Sequence, residues 1–148
     1  MVNNKPLDAD DIRRSVVEFR AVFGLNSDQV WVNGNTAMVM YGLHPFVKQI
    51  TIGVRAAAMV QIAAVTGYKI ERTDDQTPVM RCPAYGMVIF CTGDVLRKNL
   101  QMVNQVLCYS PRLLLKQKLS TQSFNHVNDV PSLKALIKQT RGDANGNG

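Results

Sequence analysis

Charged residues are scarce in this sequence: Asp, Glu, Lys and Arg together make up 19% of its 148 residues. Disordered chains combine high charge with low hydrophobicity, and this chain does not, because 46% of its residues are apolar. The length suffices for one domain with a buried core and is short for two. We therefore expect one globular domain over residues 1–141, followed by a disordered Gly- and Asn-rich tail at 142–148.

Cysteine is also scarce, with three residues, Cys82, Cys91 and Cys108, and no CxxC pair. An odd number without such a pair argues against a disulfide framework and against a structural zinc site. Cys91 lies in an apolar run, so we expect its thiol to be buried and unreactive. Unpaired cysteines favour a reducing compartment, and we expect the cytoplasm.

Long apolar runs are missing, because every apolar stretch is interrupted before it reaches membrane-spanning length. The first five residues show no basic segment leading into an apolar one, so a secretory signal is not expected. Acidic residues are outnumbered by basic ones, and the formal net charge is +6. This charge favours an acidic partner such as a nucleotide or nucleic acid, but solvated lysines explain it at least as well.

The predicted elements follow an order that indicates a mixed α/β sheet with helices packed on it. The first helix is capped by Asp8 with Asp11, carries an apolar stripe that includes Ile12 and Val16, and stops at Gly24. Ser110 and Pro111 begin a later helix. The predicted strands are 29–33, 49–54, 68–72, 79–82, 87–91 and 105–108. The further helices are 36–41, 55–65, 96–100 and one that begins near 129.

Several single residues have ordinary structural interpretations. Trp31 is expected to anchor the core at the first strand, and the methionines Met38, Met40, Met59 and Met87 to fill it. The two histidines, His44 and His126, have no neighbouring nucleophile in the sequence and are expected on the surface or in loops. The basic residues are expected to be scattered and solvated, without a nucleic-acid reader motif. They include Arg97, Lys98, Lys116, Lys118, Lys134 and Lys138.

The segment Val30–Val54, VWVNGNTAMVMYGLHPFVKQITIGV, resembles the small nucleotidyltransferases of the polymerase beta-like superfamily, including those of toxin–antitoxin and abortive-infection systems. In that family a strand enters a Gly-Gly or Gly-Ser turn, a short helix and a loop follow, and the next strand carries Asp-x-Asp. Gly34 and Asn35 stand at the small-residue pair. The spacing puts Gln49 and Thr51 at the two aspartate positions.

A second stretch agrees with this resemblance. Ser110 and Pro111, followed by Leu114 and Lys118, are similar to the family's Ser-Pro-x-x-Leu-Leu-x-x-Lys helix start. The later segment 129–133 is similar to its Asp-Ile-x-x-Leu motif. The resemblance covers most of residues 30–136 and implies a nucleotidyltransferase-like fold.

The departure from the family pattern concerns its metal site. Nucleotidyl transfer relies on metal ions that bridge phosphate oxygens, and Mg²⁺ prefers carboxylate ligands. Residues two apart on a strand point to the same face, so Gln49 and Thr51 share the former metal face but offer no negative charge. The later strand has no carboxylate, and Asp94 just beyond it is a poor substitute. We therefore expect an inactive site without metal or cofactor.

The phosphate side of the resembling site is retained, since Gly34 permits a close backbone approach and Lys48 supplies a point charge. The N–H groups of Asn35 and Thr36 at the helix start would face an anion. Together with Gln49 and Thr51 these residues form a candidate vestigial pocket. A plain strand-to-helix turn explains Gly34 and Asn35 equally well.

Three functions follow from these expectations. The first is an inactive nucleotidyltransferase-like protein that binds a nucleotide, a nucleic acid or a protein, in a regulatory or antitoxin-like role, encoded by a phage or mobile element. The second is an active nucleotidyltransferase whose metal ligands are displaced to Asp94 or to Asp74 and Asp75. The third is a structural or assembly protein that uses the fold as a scaffold. The oligomeric state is left open.

Overall fold

The computed structural model describes residues 6–93, 95–120 and 128–146, with side chains described as far as residue 139. These residues form one mixed α/β domain, which confirms the predicted fold class. The helices are α1 Ala9–Phe23, α2 Gly34–Met40, α3 Ala56–Thr66, α4 Pro111–Ser120 and α5 Asp129–Gly146. The strands are β1 Trp31–Val32, β2 Ile50–Val54, β3 Ile70–Arg72, β4 Pro78–Cys82, β5 Met87–Cys91, β6 Leu100–Val103 and β7 Val106–Tyr109.

The seven strands form one sheet in the order β3-β4-β5-β2-β1-β7-β6. β2 lies at its centre, parallel to β5 and antiparallel to β1. β1 in turn runs parallel to β7, and the two hairpins β3-β4 and β6-β7 form the outer edges. Thr51, at the second aspartate position of the family resemblance, therefore lies in the middle of the sheet, on the strand next to β5.

Local sequence signals define both ends of α1. The Asp8 side chain accepts from the backbone N–H of Asp11 at 2.9 Å, and the Asp11 side chain accepts from the Asp8 N–H at 3.1 Å. This reciprocal capping box satisfies donors that a helix start would otherwise leave unpaired. Gly24 ends the helix in the left-handed conformation. Both termini agree with the sequence prediction.

The core lies between the sheet and the helices packed on it. Trp31 is 1% exposed, and the four methionines predicted to fill the core are all buried. Along β2, Ile50 and Ile52 are fully buried, whereas Thr51 between them is half-buried on the other face. Strand alternation therefore separates a core face from a polar face on the same strand.

Strand β6 was not predicted from the sequence. The region expected to form a helix at 96–100 contains a short 3-10 helix, Arg97–Asn99, and the chain then enters β6. A tight turn at Asn104 and Gln105, both with positive φ, returns it into β7. Paired positive-φ residues form the hairpin turns that match strand twist. Asn104 was thus the signal for a hairpin.

Two helices begin or end away from their predicted limits. α2 starts at Gly34, which the sequence suggested would only end the preceding strand. α5 continues to Gly146, five residues into the segment 142–148 predicted to be a disordered tail, and residues 147–148 lie outside the described part. A helix already formed adds one backbone hydrogen bond per residue as it grows, which offsets the low helix propensity of Gly and Asn.

Candidate functional site

The six residues of the predicted pocket come together around one cleft of about 810 Å³. The cleft opens where α2 begins, beside the polar face of β2 and the end of β5. Its lining includes Gly34, Asn35, Thr36, Lys48, Gln49 and Thr51. Lys48 and Gln49 are exposed, whereas Thr36 is fully buried and supports the site from below. The structure thus assembles all six, and divides them into exposed contact residues and buried support.

Two threonines join β2 to the turn before α2. The Thr51 backbone N–H donates to Thr36 Oγ1 at 2.9 Å, and the two hydroxyl oxygens lie 3.1 Å apart. Thr51 Oγ1 donates to the Asn33 carbonyl at 3.1 Å. Since Thr51 commits its hydroxyl proton to that carbonyl, the Thr36 hydroxyl donates to Thr51 Oγ1. Thr51 therefore fastens the turn, and it offers the cleft only an acceptor lone pair.

Gly34 shapes the entry to the cleft through its backbone. Its φ is +53°, in the left-handed region that favours glycine. A Cβ there would lie 3.8 Å from Thr51 Oγ1, which is ordinary contact distance. The glycine is therefore required by its backbone conformation rather than by lack of space. α2 has seven residues, so its start contributes little helix dipole.

The floor of the cleft is a hydrogen-bonded layer of aromatic and hydroxyl side chains. Trp31 Nε1 donates to Thr92 Oγ1 at 2.8 Å, and Asn33, Thr92 and Gln117 surround the Tyr109 hydroxyl with polar groups that lower its pKa. Burial raises the pKa of Tyr109, and these polar groups offset part of that rise. Tyr109 therefore remains a neutral phenol at physiological pH.

Gly53 on β2 makes room for the indole of Trp31 in this floor. A Cβ at Gly53 would lie 2.3 Å from Trp31 Nε1 and 2.8 Å from Thr92 Cγ2, so no side chain fits. Gly53 follows Thr51 on the same face of β2, and Gln49 lies just before the strand. The tryptophan therefore fills the inner end of the face on which the family resemblance places the metal.

An ionic cluster adjoins the cleft, and one of its members, His44, is part of the lining. Lys118 Nζ on α4 donates to Asn35 Oδ1 at 2.8 Å and lies 3.1 Å from Asp129 Oδ2, and His44 Nε2 lies 2.6 Å from Asp129 Oδ1. The Asp129 side chain is 5% exposed and that of Lys118 is 8% exposed. The expectation that Lys118 is solvated is therefore wrong, whereas His44 lies in a loop as expected and contacts Asp129 from there. His126 lies outside the described residues.

The pKa of Asp129 shows how this cluster is balanced. Burial alone would raise the pKa of the Asp129 carboxyl, but its hydrogen bonds and charge interactions with His44 and Lys118 outweigh burial and hold the pKa below the ordinary value of 3.8. The carboxylate is therefore ionised at neutral pH. It neutralises Lys118, and through that lysine it fixes the orientation of the Asn35 amide.

No carboxylate is among the described residues that line the cleft. In the described part of the chain, no group of three or more His, Cys, Asp or Glu residues is placed to hold a metal ion. Asp74 and Asp75 lie in a neighbouring hollow that shares Thr77 and Phe90 with the cleft, and Asp75 accepts from Thr73 and Thr77. Asp94 lies outside the described residues.

Apolar side chains complete the walls. The cleft is also lined by Phe46, Phe90 and Cys91. Phe46 is 46% exposed. The expectation that Cys91 is buried is wrong, because the end of β5 opens onto the cleft and leaves the residue half-buried. The lining also includes Phe46, Thr92 and Tyr109, which the sequence motifs did not predict. Phe46 stands two residues before Lys48, and that spacing was the signal for a shared face.

The comparisons with known proteins found one solved structure with a similar fold, and they identified no family. No protein-family model matches this chain, and no curated protein matches it. A similar solved structure is the crystal structure of JHP933 from Helicobacter pylori, with a TM-score of 0.52 and 11% sequence identity. The similarity covers 82% of this chain and 62% of JHP933. At this identity the likeness concerns the fold alone, and the chain spans less than two thirds of its neighbour's length.

No helix among the described residues combines the length and the apolar character that crossing a membrane requires.

Proposed function

We propose that this chain is a catalytically inactive nucleotidyltransferase-like protein that acts by binding a nucleotide in the cleft. The observation that carries the proposal is that the six pocket residues line one cleft whose described lining has no carboxylate. The layout suits a phosphorylated ligand, and the two-metal chemistry lacks its ligands. Family membership is part of the proposal, and it rests on the motifs around Gly34 and Lys118.

The lining favours binding over chemistry. Its polar groups are amides, hydroxyls, the imidazole of His44 and one lysine, which hydrogen-bond phosphate and sugar oxygens. Gln49 is exposed at the first aspartate position, and Thr51 is committed to the turn at the second. Neither side chain supplies the charge that draws Mg²⁺ out of water. The pocket is therefore suited to holding a ligand rather than to activating it.

The alternative of an active nucleotidyltransferase whose metal ligands lie at other positions has little support in this geometry. The Asp74 and Asp75 pair lies in the neighbouring hollow, and Asp75 is hydrogen-bonded within its own turn. Asp129 lies outside the described lining, and it is engaged by Lys118 and His44. We propose a cytoplasmic location on the basis of the free cysteines, since none of the three is paired. A regulatory or antitoxin-like role would follow from binding without catalysis.

A thermal-shift screen of nucleoside mono-, di- and triphosphates tests the proposal. A ligand present at about 100 times its Kd adds about 2.7 kcal/mol to the free energy of unfolding. For a chain of this length, that raises Tm by about 5–10 °C. The proposal predicts such a shift for at least one nucleotide, with no transfer of a labelled nucleotide to RNA or protein.

Two matched variants locate the binding. Gln49→Glu adds a negative charge at the lip of the cleft, where it should weaken nucleotide binding about fivefold, or about 1 kcal/mol. Gln61→Glu makes the same change at an exposed position of α3 outside the cleft and should leave binding unchanged. No shift with any nucleotide would overturn nucleotide binding, and transfer activity would overturn the inactive assignment.

A further inference from the structure

We infer that the cleft selects a nucleoside monophosphate, bound without a divalent cation, over the corresponding di- and triphosphates. The inference rests on the proposed function and adds the charge class of its ligand. Three features lead to it: the charge of the lining, the alternation of Phe46 and Lys48, and the orientation of Asn35.

The charge of the lining matches a small anion. Among the described lining residues, Lys48 is the one lysine or arginine, and the imidazole of His44 contacts the Asp129 carboxylate. Lys118 stands behind Asn35, and its charge is neutralised by Asp129. A phosphate monoester carries about −1.5 to −2 at pH 7, and each further phosphate adds negative charge. Without bound metal, a di- or triphosphate would therefore place uncompensated charge in the cleft.

An aromatic ring and an ammonium group stand side by side on the lip. Val47 is buried and pairs with Leu7 in an isolated antiparallel bridge, with backbone hydrogen bonds of 2.7 and 2.9 Å. In such extended backbone, Phe46 and Lys48 share a face roughly 7 Å apart along the chain, and Val47 between them also contributes to the lining. Phe46 and Lys48 both line the cleft. One nucleotide spans that distance, with its base on Phe46 and its phosphate at Lys48.

Asn35 presents donors beside this lysine. Lysine has only donors, so the atom that contacts Lys118 Nζ at 2.8 Å must be the Asn35 carbonyl oxygen. The amide N–H groups are thereby held on the other branch of the side chain, and Asn35 is part of the lining of the cleft. An N–H₂ group that is fixed in this way donates to a phosphate oxygen and cannot coordinate a cation. The ion pair of Lys118 and Asp129 therefore gives the cleft a preference for an anion, because it holds the Asn35 amide in this orientation.

Isothermal titration in EDTA tests the inference with AMP, ADP, ATP, adenosine and inorganic phosphate, and with GMP, CMP and UMP to allow for base preference. The preferred monophosphate should bind tighter than its di- and triphosphate. Its nucleoside and inorganic phosphate should each bind about tenfold or more weakly, because each lacks one of the two contacts. Lys48→Met should remove the advantage of the monophosphate over its nucleoside. Lys69→Met, at an exposed position outside the cleft, should change nothing.

Phe46→Ala provides the complementary variant. This substitution should weaken the binding of the monophosphate and of the nucleoside to the same extent, and it should leave the binding of inorganic phosphate unchanged. Both Phe46 and Lys48 are exposed, so neither substitution threatens the core. ATP or ADP binding more tightly than the monophosphate in EDTA would overturn the inference while leaving nucleotide binding intact. Absence of binding by every nucleotide would overturn both the inference and the proposed function.

Discussion

Replacing Lys118 with methionine should destabilise the fold far more than an ordinary lysine substitution. The Asp129 carboxylate is 5% exposed, and Lys118 Nζ lies 3.1 Å from it. Removing one partner of a buried pair costs about 3–5 kcal/mol, because the other charge stays buried without compensation. His44 still contacts the carboxylate at 2.6 Å, so we expect the lower end of that range, about 3 kcal/mol.

Urea unfolding of the wild type and the variants at neutral pH measures this loss by linear extrapolation. Lys116→Met is the matched control, because Lys116 lies on the same helix and is exposed. It should change the free energy of unfolding by about 0.5 kcal/mol or less. The double variant Lys118→Met with Asp129→Leu should recover most of the loss, since neither buried charge remains.

A small loss in the free energy of unfolding of Lys118→Met would refute this reasoning. Exposed salt bridges contribute about 0–1 kcal/mol. If Lys118→Met costs less than about 1 kcal/mol, the pair is hydrated in solution, and it cannot hold the Asn35 amide as described. A double variant less stable than Lys118→Met alone would show that Asp129 stabilises the fold through other contacts.

Three further predictions concern the floor and the walls of the site. Thr36→Val should cost about 1–3 kcal/mol in urea unfolding, because it leaves the Thr51 N–H without its acceptor, whereas Thr36→Ser should keep most of the stability. Gly53→Ala should cost about 1–3 kcal/mol and shift the fluorescence of Trp31, the single tryptophan, since the new methyl group displaces the indole. The free energy of unfolding should decline as pH falls below about 3.8, because the lowered pKa of Asp129 makes its ionised form stabilising above that value. Asp129→Asn should show a shallower decline, and an unchanged slope would contradict the assigned role.

The layout of the pocket was accessible from the sequence because it depends on short-range geometry. Gln49 and Thr51 lie two residues apart on a strand, so their shared face follows from the period of two. Gly34 precedes them by a short helix and a loop, which places it near the same strand. The threonine hydrogen bonds were not accessible, since a hydroxyl has several equally good local partners.

The ionic cluster behind the pocket was missed for a different reason. Asn35 and Lys118 are 83 positions apart, and His44 and Asp129 are 85 apart. Such contacts depend on how α4 and α5 pack, which periodicity alone does not specify. One signal was present: Lys118 follows the buried Leu114 by four residues and therefore shares its helix face. A charged residue on a buried face requires a partner.

The most direct test of the central claim is a calorimetric titration of the tightest-binding nucleotide, performed once in EDTA and once with excess Mg²⁺. The claim is that the cleft binds its ligand through neutral donors and Lys48, without a metal site of its own. It predicts a measurable Kd in EDTA that Mg²⁺ leaves unchanged or weakens, since the cation competes for the phosphate. Binding that appears only with Mg²⁺, or that tightens about tenfold with it, would contradict the account.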